Sequence, residues 1–386
     1  MTILNGITWG HSRGITPLLA AAQRYNELHP DVEIRWKKRT LQEFADFPIE
    51  KLTEEYDLLI IDHPWVGCAA ATNCVLDLNN YLSKEYLADQ LANSVGGSHE
   101  SYNYDGSQWA LAIDAATPAA SYRKDLLEQN NTAVPQTWNE LLSLAKTGKV
   151  AVAGIPIDLL MNFYTACIAC GQLPFQSEEE IIDKETGIQA IELLRELYSL
   201  VDTSMFSRNP IAVAEAMTTT DDYWYCPFAY CYSNYARTGY AKNLLTYADV
   251  VNYNDKKLRT TIGGTGLAVS SFSRHKEIAV DFAAMVVSGE QQRTFYVQHG
   301  GQPGHRSAWT DEEATRLTND FFKNVLPVME NGYIRPRYNG YLHFQDHAGL
   351  PLQQCIINNS NAAKTLEAMN KIYTESISTK QLTAGV

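Results

Sequence analysis

Two rhythms of apolar residues alternate over the first part of the chain. Residues 3–9 (ILNGITW) form an apolar extended run, and residues 10–14 (GHSRG) form a turn. Helical spacing then holds to Leu28, with Thr16 expected as N-cap and Pro17 at the first helical position. His29-Pro30 ends that helix, because the residue before a proline is pushed out of the helical region. Residues 32–36 predict a second strand, and residues 41–52 return to helical spacing. Residues 56–62 (YDLLIID) have the length and continuous apolarity of a strand covered on both faces. Strand, helix, strand, helix, strand in this order predicts a doubly wound α/β lobe.

Further along, 77–91 reads as helix, 94–107 as a loop rich in Gly, Ser and Asn, and 108–113 as a strand. Residues 120–123 are extended and 124–129 form a turn. Thr137 followed by Glu140 is a capping box at the start of another helix. The pattern then predicts a strand at 150–155, helices at 159–170 and 188–200, and an aromatic cluster at 221–235. A glycine-bearing strand at 261–270, an amphipathic helix at 276–287, a Gly/Pro turn at 300–306 and helices at 312–326 and 352–377 complete it. No internal repeat, low-complexity tract or flexible linker is visible.

The order of these phrases resembles the family 1 extracellular solute-binding proteins, of maltose-binding-protein type. The phrases are "HPDVEIRW" after the first helix, "YDLLIID" at 56–62, "WALAIDAATPAASYRKDLL" at 109–127 and "VPQTWNELL" at 134–142. They continue with "TIGGTGLAVSSFSRHKEIAVDFAAMVVSGEQQRTF" at 261–295 and "VMENGYIRPRYNGY" at 328–341. The resemblance spans essentially the whole chain and is carried by collinear order. It implies a periplasmic-binding-protein type II clamshell, each lobe a mixed sheet flanked by helices. Residues 1–114 and 263–305 would make lobe 1, and residues 115–262 and 306–386 lobe 2. The lobes would close on a small polar solute, a carbohydrate favoured, without catalysis, as the binding component of an ABC-type uptake system. The expected partners are that solute and the membrane component of an ABC transporter; a monomer is expected, with no cofactor.

Charge sharpens this picture. The chain carries 31 Lys and Arg against 44 Asp and Glu, a net charge of −13, with no basic run. Nucleic acid is therefore excluded as a partner, since that affinity rests on cations neutralising phosphates. No apolar run reaches the ~18 residues of a membrane span. Residues 1–30 read as the first helix of the fold rather than a signal peptide, so the chain as written is expected in the cytoplasm. The alternative is the periplasm or cell surface, with an export signal absent from the sequence. The seven cysteines form no small disulfide framework and read as buried free thiols.

Open α/β sheets bind ligands beyond the carboxyl ends of their strands. By that rule Trp9, His11 and Arg13 follow the first strand, and Asp62, His63 and Trp65 follow a central one. The two tryptophans offer faces for a sugar ring; the polar side chains offer hydrogen bonds to hydroxyls or a carboxylate. The same residues also fit core aromatics and a helix cap. Asp114 sits at the first crossover, Tyr223, Trp224 and Tyr225 in the aromatic segment, and Gly264 where a backbone could approach a ligand closely. Arg337 and Tyr338 suit an anion clamp or pairing with the acidic surface. No metal site is expected: Cys167 and Cys170 lack a second pair at zinc spacing, and His343 with His347 reads as a surface pair. Two other functions fit parts of the pattern. Gly10-His11-Ser12-Arg13-Gly14 matches the nucleophile elbow of serine hydrolases, and a cytoplasmic sensor or carrier would use the same clamshell.

Overall fold

The computed structural model describes residues 1–40 and 49–383, with the side chains of the last few residues left aside. The chain divides into two compact units. Unit 1 is Met1–Ala116, Ile262–Thr318 and Arg337–Asn339; unit 2 is Thr117–Thr261, Asn319–Pro336 and Gly340–Val386. In chain order the strands of the two main sheets are β1 (Thr2–Trp9), β2 (Val32–Arg39), β3 (Leu58–Ile61), β4 (Leu111–Asp114), β5 (Pro118–Tyr122), β6 (Tyr225–Tyr230), β7 (Thr246–Ala248) and β8 (Thr265–Val269). The principal helices are α1 (Ser12–Leu28), α2 (Pro156–Ala169), α3 (Lys184–Tyr198), α4 (Lys276–Val287), α5 (Phe321–Glu330), α6 (Tyr341–Ile357) and α7 (Ala362–Thr383).

Unit 1 is built on a five-stranded sheet of order β2-β1-β3-β8-β4. β1 runs parallel to β2 and β3, in register Thr2 with Val32 and Gly6 with Leu58. β8 returns from far along the chain and inserts antiparallel between β3 and β4. The "LLII" run is apolar throughout because the sheet is covered on both faces. Leu58 and Ile60 join one apolar cluster with Leu4, Leu18 and Phe282; Leu59 and Ile61 join another with Ile7, Val66 and Tyr102. The period of two also divides β8, with Leu267 and Val269 on one side and Ala268 on the other.

Unit 2 has a three-stranded sheet of order β6-β5-β7, antiparallel in its named strands. Helices α2, α3, α6 and α7 pack together. Gly349 allows one close approach: a Cβ there would lie 2.3 Å from the Pro156 carbonyl oxygen, so α6 could not meet the start of α2 with any larger residue. The Thr137 capping box forms as expected. Glu140 N–H donates to Thr137 Oγ1 at 3.3 Å, and Thr137 N–H donates to Glu140 Oε2 at 3.1 Å.

Several expectations need correction. α1 begins at Ser12, so Pro17 lies inside it and Thr16 caps nothing. The cap is His11, whose Nδ1 accepts the Arg13 N–H at 3.0 Å, a role that residue-type rules assign to Ser, Thr, Asp or Asn. The stretch 77–91 splits into a turn Leu78–Asn80 and a helix Lys84–Ala92, because the Ser83 hydroxyl accepts the Tyr86 N–H and starts a new helix. The 94–107 loop holds a helical turn Ser98–Ser101 and part of a two-stranded hairpin, and 124–129 is a helix rather than a turn. Residues 150–155 are not a strand: Val150 makes a single parallel bridge to Tyr225 before the chain turns into α2. The 312–326 helix breaks at Asn319 and Asp320, both left-handed (φ 49° and 61°), a conformation that Asn and Asp tolerate. The 352–377 helix is two helices, α6 starting earlier and α7 capped anew by Asn361. Of the 41–52 helix, residues 41–48 lie outside the described residues, and Ile49–Glu55 is helical.

Replacing Thr137 with Ala removes the acceptor for the Glu140 N–H and should cost about 1 kcal/mol, read from chemical denaturation.

Candidate functional site

The carboxyl ends of β1, β3 and β4 place several candidate side chains along one edge of the unit 1 sheet. Arg13, on the first turn of α1, reaches Asp114 at the end of β4, 101 residues away in sequence. Its Nε donates to Asp114 Oδ2 at 2.8 Å and its Nη2 to Asp114 Oδ1, a two-pronged ion pair. Arg13 is 4% exposed and Asp114 0%. Complete burial pushes the Asp114 carboxyl up, and the adjacent guanidinium opposes that rise. Trp9 lies in the core beneath α1, with the Arg13 guanidinium 5.9 Å from its ring centroid. Gly14 is required there, since a Cβ would sit 2.5 Å from the Trp9 indole.

His11 is half-buried, and burial together with the Arg13 charge lowers its pKa to about 4. Its ring is therefore neutral at pH 7, as its acceptor role at the cap demands. Asp62 accepts the His63 N–H at 2.9 Å and caps the short turn His63–Trp65. His63 is fully buried, 3.4 Å from Asp62 through Nδ1 and edge-on to Tyr102. Trp65 is half-buried against the second apolar cluster and remains partly open to solvent. Gly264 (φ 85°) approaches its own strand neighbour: a Cβ would lie 2.3 Å from the Asp114 carbonyl oxygen. Arg337 donates to the carbonyls of Glu100 (2.7 Å) and Asn103 (2.6 Å) and lies over the Tyr104 ring, so it fastens segment Arg337–Asn339 to unit 1. Tyr338, half-exposed, belongs to that segment.

In unit 2, Tyr223, Trp224 and Tyr225 gather at the amino end of β6, the end opposite Tyr230. Tyr225 is fully buried. Trp224 donates to the Asp221 carbonyl, carries the Lys149 ammonium 5.1 Å from its ring, and lines a cavity of about 540 Å³ with Val134, Pro135 and Leu144. Two polar groups escaped the sequence reading. Thr265, opposite Asp114 in the sheet, has a buried hydroxyl with no hydrogen-bond partner among the described residues. Asp158, on the first turn of α2, is buried with Oδ2 likewise unpartnered, and burial pushes its carboxyl up to about 8. Neither lies in a recognisable motif; a lone polar residue inside an apolar helical pattern was the available signal for Asp158. Among the described residues no group of three or more His, Cys, Asp or Glu could hold a metal ion, and no helix is long and apolar enough to cross a membrane.

The model of the bacterial extracellular solute-binding protein family matches residues 20–320. The chain belongs to that family. Solved structures agree in fold. A maltose-bound MalE3 of T. maritima superposes with TM-score 0.85 at 18% identity, covering 97% of this chain and 99% of that one. An ABC transporter solute-binding protein from Agrobacterium radiobacter K84, in complex with ribitol, gives 0.82 at 18%, covering 97% and 98%. A maltotriose-binding protein of Thermus thermophilus gives 0.77 at 21%, covering 98% and 100%. The fold is thus the periplasmic-binding-protein type II fold, as the phrase order implies. The family binds solutes and is not enzymatic. Ser12 accordingly belongs to no nucleophile elbow: it is the first residue of α1, and the flanking glycine Gly14 serves the packing on Trp9.

Two outcomes follow from the edge geometry. Arg13→Ala leaves Asp114 buried without its cation and should destabilise unit 1 by about 3–5 kcal/mol, whereas the paired change R13M/D114L should recover much of that loss in denaturant titrations. His11 has a folded pKa of about 4 against 6.5, so its contribution is complete above pH 6.5 and is lost as pH falls toward 4. His11→Asn keeps a capping acceptor without a titrating ring and should flatten the stability–pH curve by one proton between those limits. His99, also lowered to about 4 by burial, keeps its own share of the slope.

Proposed function

We propose that this chain is a non-catalytic receptor for a small neutral polyhydroxylated solute, a carbohydrate or sugar alcohol, serving the membrane component of an ABC-type uptake system. The observation that carries it is the Arg13–Asp114 pair. The buried guanidinium at the ligand-side edge is matched by a carboxylate within the protein, and His11 is neutral. Neither group supplies net positive charge for an organic acid or phosphate. Asp62, His11 and Trp65 remain partly exposed there and offer hydroxyl acceptors and an aromatic face, the chemistry a sugar ring needs. Relatives of the same fold hold maltose, ribitol and maltotriose, which supports this class. Trp9, Asp114 and Gly264 hold the edge in place rather than touch the ligand; His63 orients Asp62. The protein works as a monomer outside the cytoplasmic membrane, in keeping with an extracellular family. Ligand-driven closure belongs to the same proposal and would be read as a fall in radius of gyration when the solute is added.

A thermal-shift series separates the ligand classes. A ligand at 100 times its Kd adds about 2.7 kcal/mol to stability, enough to move the melting temperature visibly. Maltose, maltotriose or ribitol should raise it, while citrate and glycerol phosphate should not. Trp65→Ala should cut the rise by reducing affinity about tenfold, equivalent to about 1.4 kcal/mol. A shift produced by the anions and not by the polyols would refute the proposal.

A further inference from the structure

The cavity beside Trp224 lies wholly within unit 2 and has no part in the function proposed above. β6 pairs Tyr230 with Pro118, next to the boundary of the units at Thr117, and pairs Tyr225 with Tyr122 at the other end. Trp224 directly precedes Tyr225, so the cavity sits at the sheet end far from that boundary. Its walls are tied together through the backbone. Trp224 N–H donates to the Lys149 carbonyl at 2.8 Å, and Val150 forms a bridge with Tyr225. Val134 and Pro135 come from the approach to the capped helix Trp138–Ala145, and Leu144 comes from its last turn.

The polar groups of the wall are mostly consumed by the protein itself. The hydroxyls of Thr132, Ser143 and Thr147 each donate to a backbone carbonyl, at 3.3, 2.8 and 2.7 Å. The Trp224 indole N–H donates to the Asp221 carbonyl at 3.1 Å. The Glu140 carboxylate accepts the N–H groups of Gln136 and Thr137, at 2.7 and 3.1 Å. Lys149 is different. Its ammonium rests 5.1 Å from the Trp224 ring centroid, and among the described residues no carboxylate pairs with it. Neighbouring Asp221 is engaged by Arg123 at 3.0 Å, and Asp222 is exposed and does not line the cavity. The indole face holds the ammonium at the wall and leaves its charge unneutralised. What remains for a ligand is apolar surface from Val134, Pro135, Leu144 and the indole, plus one fixed cation.

We propose that this cavity is a second ligand site, for a small aromatic carboxylate. Its volume of about 540 Å³ falls within the ~300–1,000 Å³ of small-molecule sites. The flat apolar body covers the Val134, Pro135 and Leu144 wall, and the carboxylate pairs with the Lys149 ammonium. A sugar finds few free hydrogen-bonding groups here, so the site selects a class opposite to that proposed for the unit 1 edge. A compact polyanion such as citrate has the charge without the apolar body and is excluded by desolvation cost.

The test is calorimetric titration of the full chain, free of sugar, with 2-naphthoate, with its neutral counterpart 2-naphthalenemethanol, and with citrate. One saturable 2-naphthoate site is expected, with the alcohol about fivefold weaker and citrate silent. Lys149→Gln should weaken 2-naphthoate to the level of the alcohol and leave the alcohol unchanged. Trp224→Leu should weaken both about tenfold. Melting temperatures check that each variant is folded, and Lys149→Gln decides alone if Trp224→Leu is not. Absence of saturable binding, equal affinity for acid and alcohol, or an acid affinity indifferent to Lys149→Gln or to a folded Trp224→Leu would each overturn the proposal. Citrate competing with 2-naphthoate would overturn it too.

Discussion

A guanidinium and a carboxylate, both removed from water, set the frame of unit 1. Arg13 stands where α1 leaves β1, and Asp114 stands where β4 ends; joining them ties the second strand of the sheet to the strand at its far edge. An ion pair placed so deep gains little net stability over well-packed apolar residues, because stripping water from both charges is expensive. What it supplies is position. Both hydrogen bonds of the fork form together when the start of α1 and the end of β4 have one relative placement. Trp9 beneath the guanidinium, Gly14 above the indole and Gly264 against the Asp114 carbonyl are then fixed by the same geometry. Tyr296, buried and within electrostatic reach of both charges, adds a further wall.

In the proposed receptor, polar residues at the sheet edge need not face the ligand. A charge already satisfied by the protein shapes the surface and excludes the wrong partner by leaving nothing for it to neutralise. Under the proposed function, specificity falls to partly exposed groups with modest chemistry, a carboxylate tied to a turn, a neutral imidazole and one aromatic face. Such groups discriminate by shape and hydroxyl placement more than by charge, and their precision depends on the rigidity of the turns that carry them.

Much of the architecture was legible because it follows from local rules. "LLII" announced a strand covered on both faces, the Thr137–Glu140 spacing announced a capped helix, and 276–287 shows the helix at the bounds its pattern predicted. The failures share a cause. The start of α1 depends on an imidazole acting as a cap and on a glycine fitting an indole, and both are tertiary facts. The break at Asn319 and Asp320 depends on backbone conformations that polar residues permit but do not demand. At the candidate site the residue types at strand ends were visible, yet their division of labour was not. In sequence Arg13 and Asp114 present themselves as separate polar groups, and nothing in their spacing of 101 residues says that they pair with each other. The aromatic trio Tyr223, Trp224 and Tyr225 was legible as aromatic but not as lying at the amino end of its strand, since strand direction at a sheet edge is a property of the assembled topology.

The placement of β8 has a consequence for how the molecule is made. A ribosome delivers β1, β3 and β4 early, but the strand that must slide between β3 and β4 emerges after the first long stretch of unit 2 has been synthesised. Until then the nascent sheet is split, with the facing edges of β3 and β4 bare and their apolar faces half covered, a condition that invites pairing with other chains. Closing it spans well over a hundred residues of intervening sequence, which slows assembly through the entropy of so large a loop. A polypeptide threaded in this manner profits from being kept unfolded until its full length is available.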